Sequence, residues 1–289
     1  MGLLERIREG EVLLSDGAVG TYLQGKGLAI GDAPETWNLS HPDVVRQMAA
    51  DYFAAGSDLM ATNSFGGNSF RLGHQGLEEH LEEVNQTAAA LARSAAPEGG
   101  LVMGSIGPTG EFLEPLGSVS PGEMYEAFSR QMEALVIGGA DAFCIETMTA
   151  LDEATLAVRA AATLGLPVLA TMTFDIGPKG FATSMGVTVE TAAEGLAEAG
   201  ADVIGSNCGS GIEQMVEIAR ALGKASQLPL IIQSNAGLPE LEDGVAVYKE
   251  LPEHMASHCA ELVEAGAGII GGCCGTTPQH IEAMAEVIK

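Results

Sequence analysis

The sequence predicts an α/β protein of one domain, a (β/α)8 TIM barrel that spans residues 1–289. Short apolar runs, typical of strands buried on both faces of a parallel sheet, alternate with longer stretches of helical periodicity. No Pro/Ser-rich linker interrupts this alternation, and eight such units match the usual size of the fold. The eight runs lie at residues 12–14, 58–62, 101–106, 142–145, 168–172, 203–205, 230–233 and 268–270.

The stretches between the runs predict helices with defined beginnings and ends. Residues 120–123 and 188–191 have the composition of helix N-caps, and Met124, Phe128 and Met132 fall on one helical face. Three helices end in a glycine that leads through an aspartate straight into a strand, as expected of a helix C′ residue. An open doubly wound sheet is the alternative, but it needs edge strands with an amphipathic pattern, and none of the runs has one.

Composition excludes several classes of partner. Thirteen Lys and Arg against 39 Asp and Glu give a net charge of −26, which repels nucleic acid and anionic membrane. The first residues lack the apolar core of a signal peptide, and no apolar run reaches the length of a membrane span. Five cysteines, an odd number, indicate free or metal-bound thiols in a reducing compartment. We therefore expect a cytoplasmic protein.

Three cysteines stand at the ends of predicted strands. Cys273 and Cys274 follow the last apolar run between glycine pairs, and Cys208 ends the sixth run. Neighbouring side chains of a regular strand point to opposite faces, so both vicinal thiols can meet one ion only if the backbone turns there. Three converging cysteines are typical of a zinc site with an open fourth position. Plain core packing and a vicinal disulfide are the alternatives.

Polar residues follow the other strands, and in a barrel they share one mouth with the cysteines. They include Asp16, Glu146, Asn235 and the segment 62–64. Asp16 and Glu146 each have a structural alternative, because an aspartate before Gly17 favours a turn and Glu146 can stabilise the start of a helix.

Two other patterns do not predict a site. His254 and His258 have the spacing of a metal pair, but the sequence shows no third ligand beside them, so a solvated helix face is the better interpretation. The glycine-rich segment 104–110 lacks the lysine of a phosphate loop and the acidic residue of a dinucleotide fold.

At these strand ends the chain resembles the homocysteine S-methyltransferases, and most of all the homocysteine-binding barrel of cobalamin-dependent methionine synthase. The shared motifs run in order along nearly the whole chain. They are DGAVGT at 16–21, TNSF at 62–65, GPTG at 107–110, IETM at 145–148, NC at 207–208, NAGLPE at 235–240 and GGCCGTTP at 271–278.

The resemblance implies the roles of individual residues. Zinc would be bound by Cys208, Cys273 and Cys274 at the mouth formed by the carboxyl ends of the strands, with Asn235 at the fourth position until homocysteine arrives. The substrate contacts implied by the resemblance are Asp16, Gly17, Thr62, Asn63, Ser64, Glu146 and Asn235. Among these, Asp16 and Glu146 would receive the substrate ammonium, and the turn at 62–64 its carboxylate.

The resemblance also implies a reaction, methyl transfer to zinc-bound homocysteine to give methionine, with no catalytic residue beyond the zinc-activated substrate thiolate. A free thiol titrates near pH 8.5, whereas zinc deprotonates it and leaves the sulfur nucleophilic. The sequence, which ends at Lys289, contains no cobalamin-binding motif. We therefore expect methylcobalamin, a corrinoid carried by a separate protein, as the methyl donor. S-methylmethionine or betaine as donor, and a homocysteine- and zinc-binding subunit without turnover, remain alternatives.

Overall fold

The computed structural model describes residues 2–177, 180–242 and 245–289. Eight parallel strands form one sheet surrounded by helices, which confirms the predicted barrel class. The barrel strands are β1 (Leu13–Leu14), β2 (Leu59–Ala61), β3 (Leu101–Ile106), β4 (Ala142–Met148), β5 (Val168–Met172), β8 (Val203–Cys208), β9 (Leu230–Ser234) and β12 (Ala267–Gly272). Two hairpins supply β6 (Asp175–Gly177) with β7 (Gly180–Ala182), and β10 (Glu240–Glu242) with β11 (Val245–Val247).

The helices alternate with these strands along the chain. They are α1 (Leu3–Arg8), α2 (Val19–Gly25), α3 (Trp37–Ser40), α4 (Pro42–Ala54), α5 (Ser69–His74), α6 (Leu81–Ala95), α7 (Pro121–Gly138), α8 (Leu151–Ala162), α9 (Val189–Ala199), α10 (Ile212–Ala225), α11 (Pro252–Ser257), α12 (Cys259–Glu264) and α13 (Pro278–Ile288), with 3-10 turns at Pro34–Thr36 and Glu78–His80. None of the described helices combines the length and apolar character needed to cross a bilayer.

An aspartate joins the two ends of the sheet. The strand order is β1, β12, β9, β8, β5, β4, β3, β2. The backbone N–H of Asp58, just before β2, donates to the Leu14 carbonyl of β1 over 2.6 Å, and the Asp58 carboxylate accepts the Leu14 N–H at 2.9 Å. Asp141, just before β4, makes the same pair of bonds to Val102 of β3, and Asp202, just before β8, makes it to Val168 of β5. In these three units, the aspartate that follows the helix-ending glycine therefore ties the start of its strand to the preceding strand of the barrel.

The structure confirms the helix starts predicted at residues 120–123 and 188–191 and the glycines predicted to end helices. The side chains of Ser120 and Thr188 accept N-cap hydrogen bonds at the starts of α7 and α9. Gly139 and Gly200, which end these helices, have φ angles of 101° and 109°, in the left-handed region that glycine adopts without strain.

The apolar core has two layers. The larger lies between the strands and the outer helices, and the smaller fills the barrel interior at its amino-terminal end, where α1 covers it. Cys144 belongs to this interior layer and Cys259 begins α12, and neither is one of the three cysteines grouped at the mouth. The two hairpins, which the sequence analysis did not predict, follow β5 and β9 at the carboxyl-terminal mouth.

Candidate metal centre and substrate pocket

Three cysteine thiols converge at the mouth. Cys208 is the last residue of β8, and Cys273 and Cys274 directly follow β12. The Cys208 sulfur lies 3.2 Å from that of Cys273 and 3.9 Å from that of Cys274, and all three sulfurs lie within 4.8 Å of one another. All three are free thiols, so the vicinal disulfide considered above is not formed. Tetrahedral zinc with bonds of about 2.3 Å needs sulfurs about 3.8 Å apart, so this donor set fits zinc.

The backbone turns at both sides of the cluster. Cys208 has a φ of 64°, which is uncommon for a residue with a side chain, and Gly209 continues the turn with a φ of 76°. On the other side, the backbone N–H and hydroxyl of Thr276 both donate to the Cys273 carbonyl, over 3.1 and 2.7 Å. These turns are the departure from regular strand geometry that two vicinal cysteines need in order to reach a common point.

The protein's own hydrogen bonds favour one thiolate among the three. Hydrogen bonds from the thiols of Cys208 and Cys273, assisted by the hydroxyl of Tyr248, lower the pKa of Cys274. Hydrogen bonding to Cys208 and Cys274 holds the pKa of Cys273 well above its ordinary value. Because like charges resist sharing a small volume, simultaneous ionisation of all three thiols requires a cation between them.

A cavity of about 340 Å³ opens beside the thiols. It lies inside the mouth, between the ends of the strands and the start of α2. Its wall includes Asp16, Gly17, Glu35, Thr62, Asn63, Phe65, Ser105, Glu146, Thr147, Cys208, Gln233, Cys273 and Cys274.

Two carboxylates in the cavity wall lack a cationic partner within the described part of the chain. Asp16 is 1% exposed, and its carboxylate accepts the backbone N–H of Ala61 over 2.9 Å. The Glu146 carboxylate accepts the Ser105 hydroxyl over 2.5 Å. Burial raises the pKa of Asp16 to about 8 and the pKa of Glu146 to about 7, and no neighbouring cation offsets it. Both groups are therefore prepared to receive a positive charge from outside the chain.

The turn at residues 62–64 is held by its own side chains. The hydroxyls of Thr62 and Ser64 are 2.6 Å apart, and Ser64 donates to the Ser105 carbonyl over 2.8 Å. Thr62 and Asn63 line the cavity, whereas Ser64 is not part of its wall. The backbone N–H groups of Asn63 and Gly17 donate to no other described residue, which leaves two donors in the cavity wall.

Asn235 follows β9, the strand that lies between the two cysteine-bearing strands. Its side-chain N–H donates to the Gly209 carbonyl over 2.8 Å, next to Cys208. Its side-chain oxygen is buried and has no hydrogen-bond partner among the residues described. Such an orphaned acceptor is costly unless a ligand satisfies it, so the residue fits a place beside a cation.

Sequence reasoning assigned no separate role to several polar residues that connect the site. The Asn207 side-chain N–H groups face the Glu146 carboxylate at 3.4 Å and the Cys273 sulfur at 3.7 Å, so one residue contacts both halves of the site. Ser105 and Gln233 are polar residues within otherwise apolar runs, a signal that could have identified them. The contact of Tyr248 with Cys274 comes from a different loop and leaves no local signal.

Comparison with known proteins identifies the family. The model of the homocysteine S-methyltransferase family matches residues 13–288. The chain belongs to the homocysteine S-methyltransferase family. Two methionine synthases, from Mycobacterium tuberculosis and Mycobacterium leprae, are 35% and 33% identical to it over 297 and 305 aligned positions. These alignments cover 96% and 99% of the chain but 24% and 25% of the relatives, so the chain spans about a quarter of their length.

Solved structures of similar fold include a homocysteine methyltransferase from Escherichia coli, MmuM. Its metallated form superposes with a TM-score of 0.81 at 24% identity, covering 98% of both chains. Its oxidised form gives a TM-score of 0.80 at the same identity. A likeness at this identity shows the fold, and it agrees with the barrel described above. The family predicted from the motifs at the strand ends is thus confirmed.

Proposed function

We propose that this barrel binds zinc and homocysteine and transfers a methyl group to the homocysteine sulfur, producing methionine. The observation that carries the proposal is one cavity with three thiols at one end and, in its wall, two carboxylates that have no cationic partner among the described residues. Homocysteine has the complementary groups, because its sulfur can complete a metal site while its ammonium reaches the carboxylates. Membership in the homocysteine S-methyltransferase family supports this assignment.

The metal would be held by Cys208, Cys273 and Cys274, with the orphaned oxygen of Asn235 as the ligand that the substrate sulfur replaces. When bound, zinc supplies the Lewis acidity that keeps a thiol deprotonated at neutral pH while its sulfur stays nucleophilic. A general base is then unnecessary, so we assign no catalytic residue beyond the substrate thiolate. Asn207, which contacts Cys273 and Glu146, fixes the distance between the sulfur and ammonium positions.

The ammonium of homocysteine would bind between Asp16 and Glu146. In the substrate-free protein, burial favours the protonated form of both carboxyls. An entering ammonium favours their charged form and displaces these protons. Because the pair prefers a cation at this point of the cavity, it orients the substrate so that its sulfur faces the cysteines.

The carboxylate of homocysteine would meet backbone donors more than side chains. Gly17 and Asn63 offer N–H groups in the cavity wall, and Thr62 lies next to them. Ser64 would act indirectly, because its hydroxyl holds the turn by bonding to Thr62 and to the Ser105 carbonyl. This arrangement keeps the proposed substrate contacts of segment 62–64 and Gly17 while giving Ser64 a positioning role.

As methyl donor we propose a methyl-corrinoid, methylcobalamin, presented by a partner protein. Support comes from the resemblance to cobalamin-dependent methionine synthase and from two relatives that are named methionine synthase. S-methylmethionine and betaine are the alternative donors, and a homocysteine- and zinc-binding subunit without turnover is the non-enzymatic alternative.

Parallel incubations separate these possibilities. Zinc-loaded protein and homocysteine are mixed with methylcobalamin, S-methylmethionine or betaine, and methionine is measured by mass spectrometry. We expect methionine from methylcobalamin, none with Cys274→Ser, and an unchanged yield with Cys259→Ser, whose thiol is neither in the cavity wall nor in the thiol cluster. Methionine from only one of the other donors would replace the corrinoid in the proposal. Homocysteine binding without methionine from any donor would contradict the enzymatic function.

A further inference from the structure

A second group of metal-ligating side chains lies outside the cavity, on the helices of the outer layer. His254 lies in α11 and His258 at the junction of α11 and α12, and their rings are 5.1 Å apart and nearly perpendicular. The sequence analysis found no third ligand beside this pair, and that was wrong, because Glu213 of α10 lies against them. One ligand atom from each of the three residues lies within 4.8 Å of the others.

The hydrogen bonds around His258 prepare one of its nitrogens for a metal. Its Nδ1 lies 3.0 Å from the Glu261 carboxylate, which the Arg220 guanidinium also contacts at 2.6 Å. Nδ1 therefore faces a carboxylate oxygen, which accepts its proton, while the Arg220 guanidinium holds the other oxygen of the same carboxylate. Nε2 of His258 then carries the free lone pair. A carboxylate that orients a histidine through its other ring nitrogen is the usual support of a metal-binding imidazole.

The distance between His254 and Glu213 also suits a bound ion. Nε2 of His254 is 4.0 Å from the nearer carboxylate oxygen of Glu213, and tetrahedral metal–ligand bonds of about 2.1 Å require about 3.4 Å. The Glu213 side chain is 76% exposed, so a rotation can close the difference. The net charge of −26 also concentrates cations at the surface of the molecule.

We propose that Glu213, His254 and His258 form a second metal site that takes a divalent transition ion with a preference for imidazole, such as Co²⁺, Ni²⁺ or Zn²⁺. It is chemically distinct from the thiol cluster, because it contains no sulfur. It bridges the first turn of α10, which begins four residues after Cys208, and the junction of α11 and α12. A bound ion therefore links the segment that follows Cys208 to the next pair of helices.

Cobalt titration of metal-stripped protein tests the site, since sulfur-to-cobalt charge-transfer absorption reports the thiol cluster alone. We expect two equivalents of Co²⁺ to bind, one with this absorption and one without it. His254→Ala/His258→Ala protein should bind one equivalent with the thiolate absorption unchanged, which also shows that the fold is intact. Glu261→Gln should keep two equivalents but weaken the sulfur-free one by 10- to 100-fold, the usual effect of removing such a support.

The matched controls are His74→Ala and His80→Ala, which remove histidines that each face a single glutamate, at 3.4 and 3.1 Å. Both proteins should still bind two equivalents. A wild-type protein that binds only the thiolate-absorbing equivalent would overturn the proposal, as would a sulfur-free equivalent that survives in the double variant. If the thiol cluster does not bind Co²⁺, the charge-transfer absorption will be missing, and this result is distinct from the outcomes for the second site.

Discussion

Replacing Asp16 by asparagine is expected to stabilise the substrate-free protein at neutral pH and to weaken homocysteine binding. The carboxylate is 1% exposed and has no cationic partner among the described residues, so its charge is disfavoured until substrate arrives. Asparagine keeps an acceptor for the Ala61 N–H but cannot ionise. An opposite effect on stability and on binding is the signature of a buried charge kept for its ligand.

The magnitude follows from the pKa of Asp16, which burial raises from 3.8 to about 8. Between these values the unfolded chain releases a proton that the folded protein keeps, so stability falls as the pH rises through this window. Each pH unit contributes about 1.36 kcal/mol, so the penalty at pH 7 reaches about 4 kcal/mol, and it stops growing near pH 8. The Asp16→Asn protein has no carboxyl at this position, so its stability should not fall with pH in this way. Without one charge-assisted contact to the ammonium, its homocysteine Kd should rise at least about thirty-fold, or about 2 kcal/mol.

Urea unfolding at pH 5.5 and pH 7.5 measures the first effect and calorimetric titration with homocysteine the second. The stability difference between variant and wild type should grow by about 3 kcal/mol over these two pH units. Asp58→Asn is the matched control, because Asp58 bonds to Leu14 and pairs with Arg6 and Lys289. It should lose about 2 kcal/mol at both pH values and keep its homocysteine affinity. A pH-independent difference for Asp16→Asn, or unchanged binding, would refute the reasoning.

Three further predictions concern the metal, protons and packing. Serine replacement of Cys208, Cys273 or Cys274 should sharply weaken zinc retention, whereas Cys144→Ser and Cys259→Ser should keep zinc. Metal analysis that finds full zinc in Cys274→Ser would exclude the three-cysteine site. At pH 7, homocysteine binding to the zinc-loaded protein should release about two protons, one from the thiol and about one more from the carboxyls of Asp16 and Glu146, whose pKa values lie at about 8 and about 7. Calorimetry in buffers of different ionisation enthalpy counts them, and a value near zero would rule out thiolate binding. Gly205→Ala should prevent folding, because the new Cβ would clash with the backbone carbonyl oxygen of Ile231 in β9. Gly122→Ala, which meets open space at the start of α7, should change the midpoint of urea unfolding little.

The barrel could be predicted from the sequence because each of its units is encoded locally. Apolar runs, helix N-caps such as Ser120 and glycines that end helices, such as Gly139, determine the structure of residues close to them in the sequence. The cysteine cluster could be predicted for a related reason, since glycines flanking Cys273 and Cys274 contribute no packing and so argue against a core role.

Contacts between distant segments could not be predicted in the same way. The approach of Asn207 to both Glu146 and Cys273 depends on how far β4, β8 and β12 twist around the barrel. The position of Glu213 beside His254 depends on the packing of α10 against the helices that follow it. The hairpin β6–β7 carries no strict alternation of apolar and polar residues, because it lies at the surface of the mouth and not in the core.

X-ray absorption at the zinc edge tests the central claim most directly, because it counts the sulfur atoms around the metal. In the zinc-loaded protein we expect three sulfur ligands at about 2.3 Å and one oxygen or nitrogen. Preparing the sample with one equivalent of zinc in His254→Ala/His258→Ala protein confines the signal to the thiol cluster. Addition of homocysteine should replace the lighter ligand with a fourth sulfur at the same distance. Fewer than three sulfurs before addition, or an unchanged spectrum after saturation with homocysteine, would contradict the account.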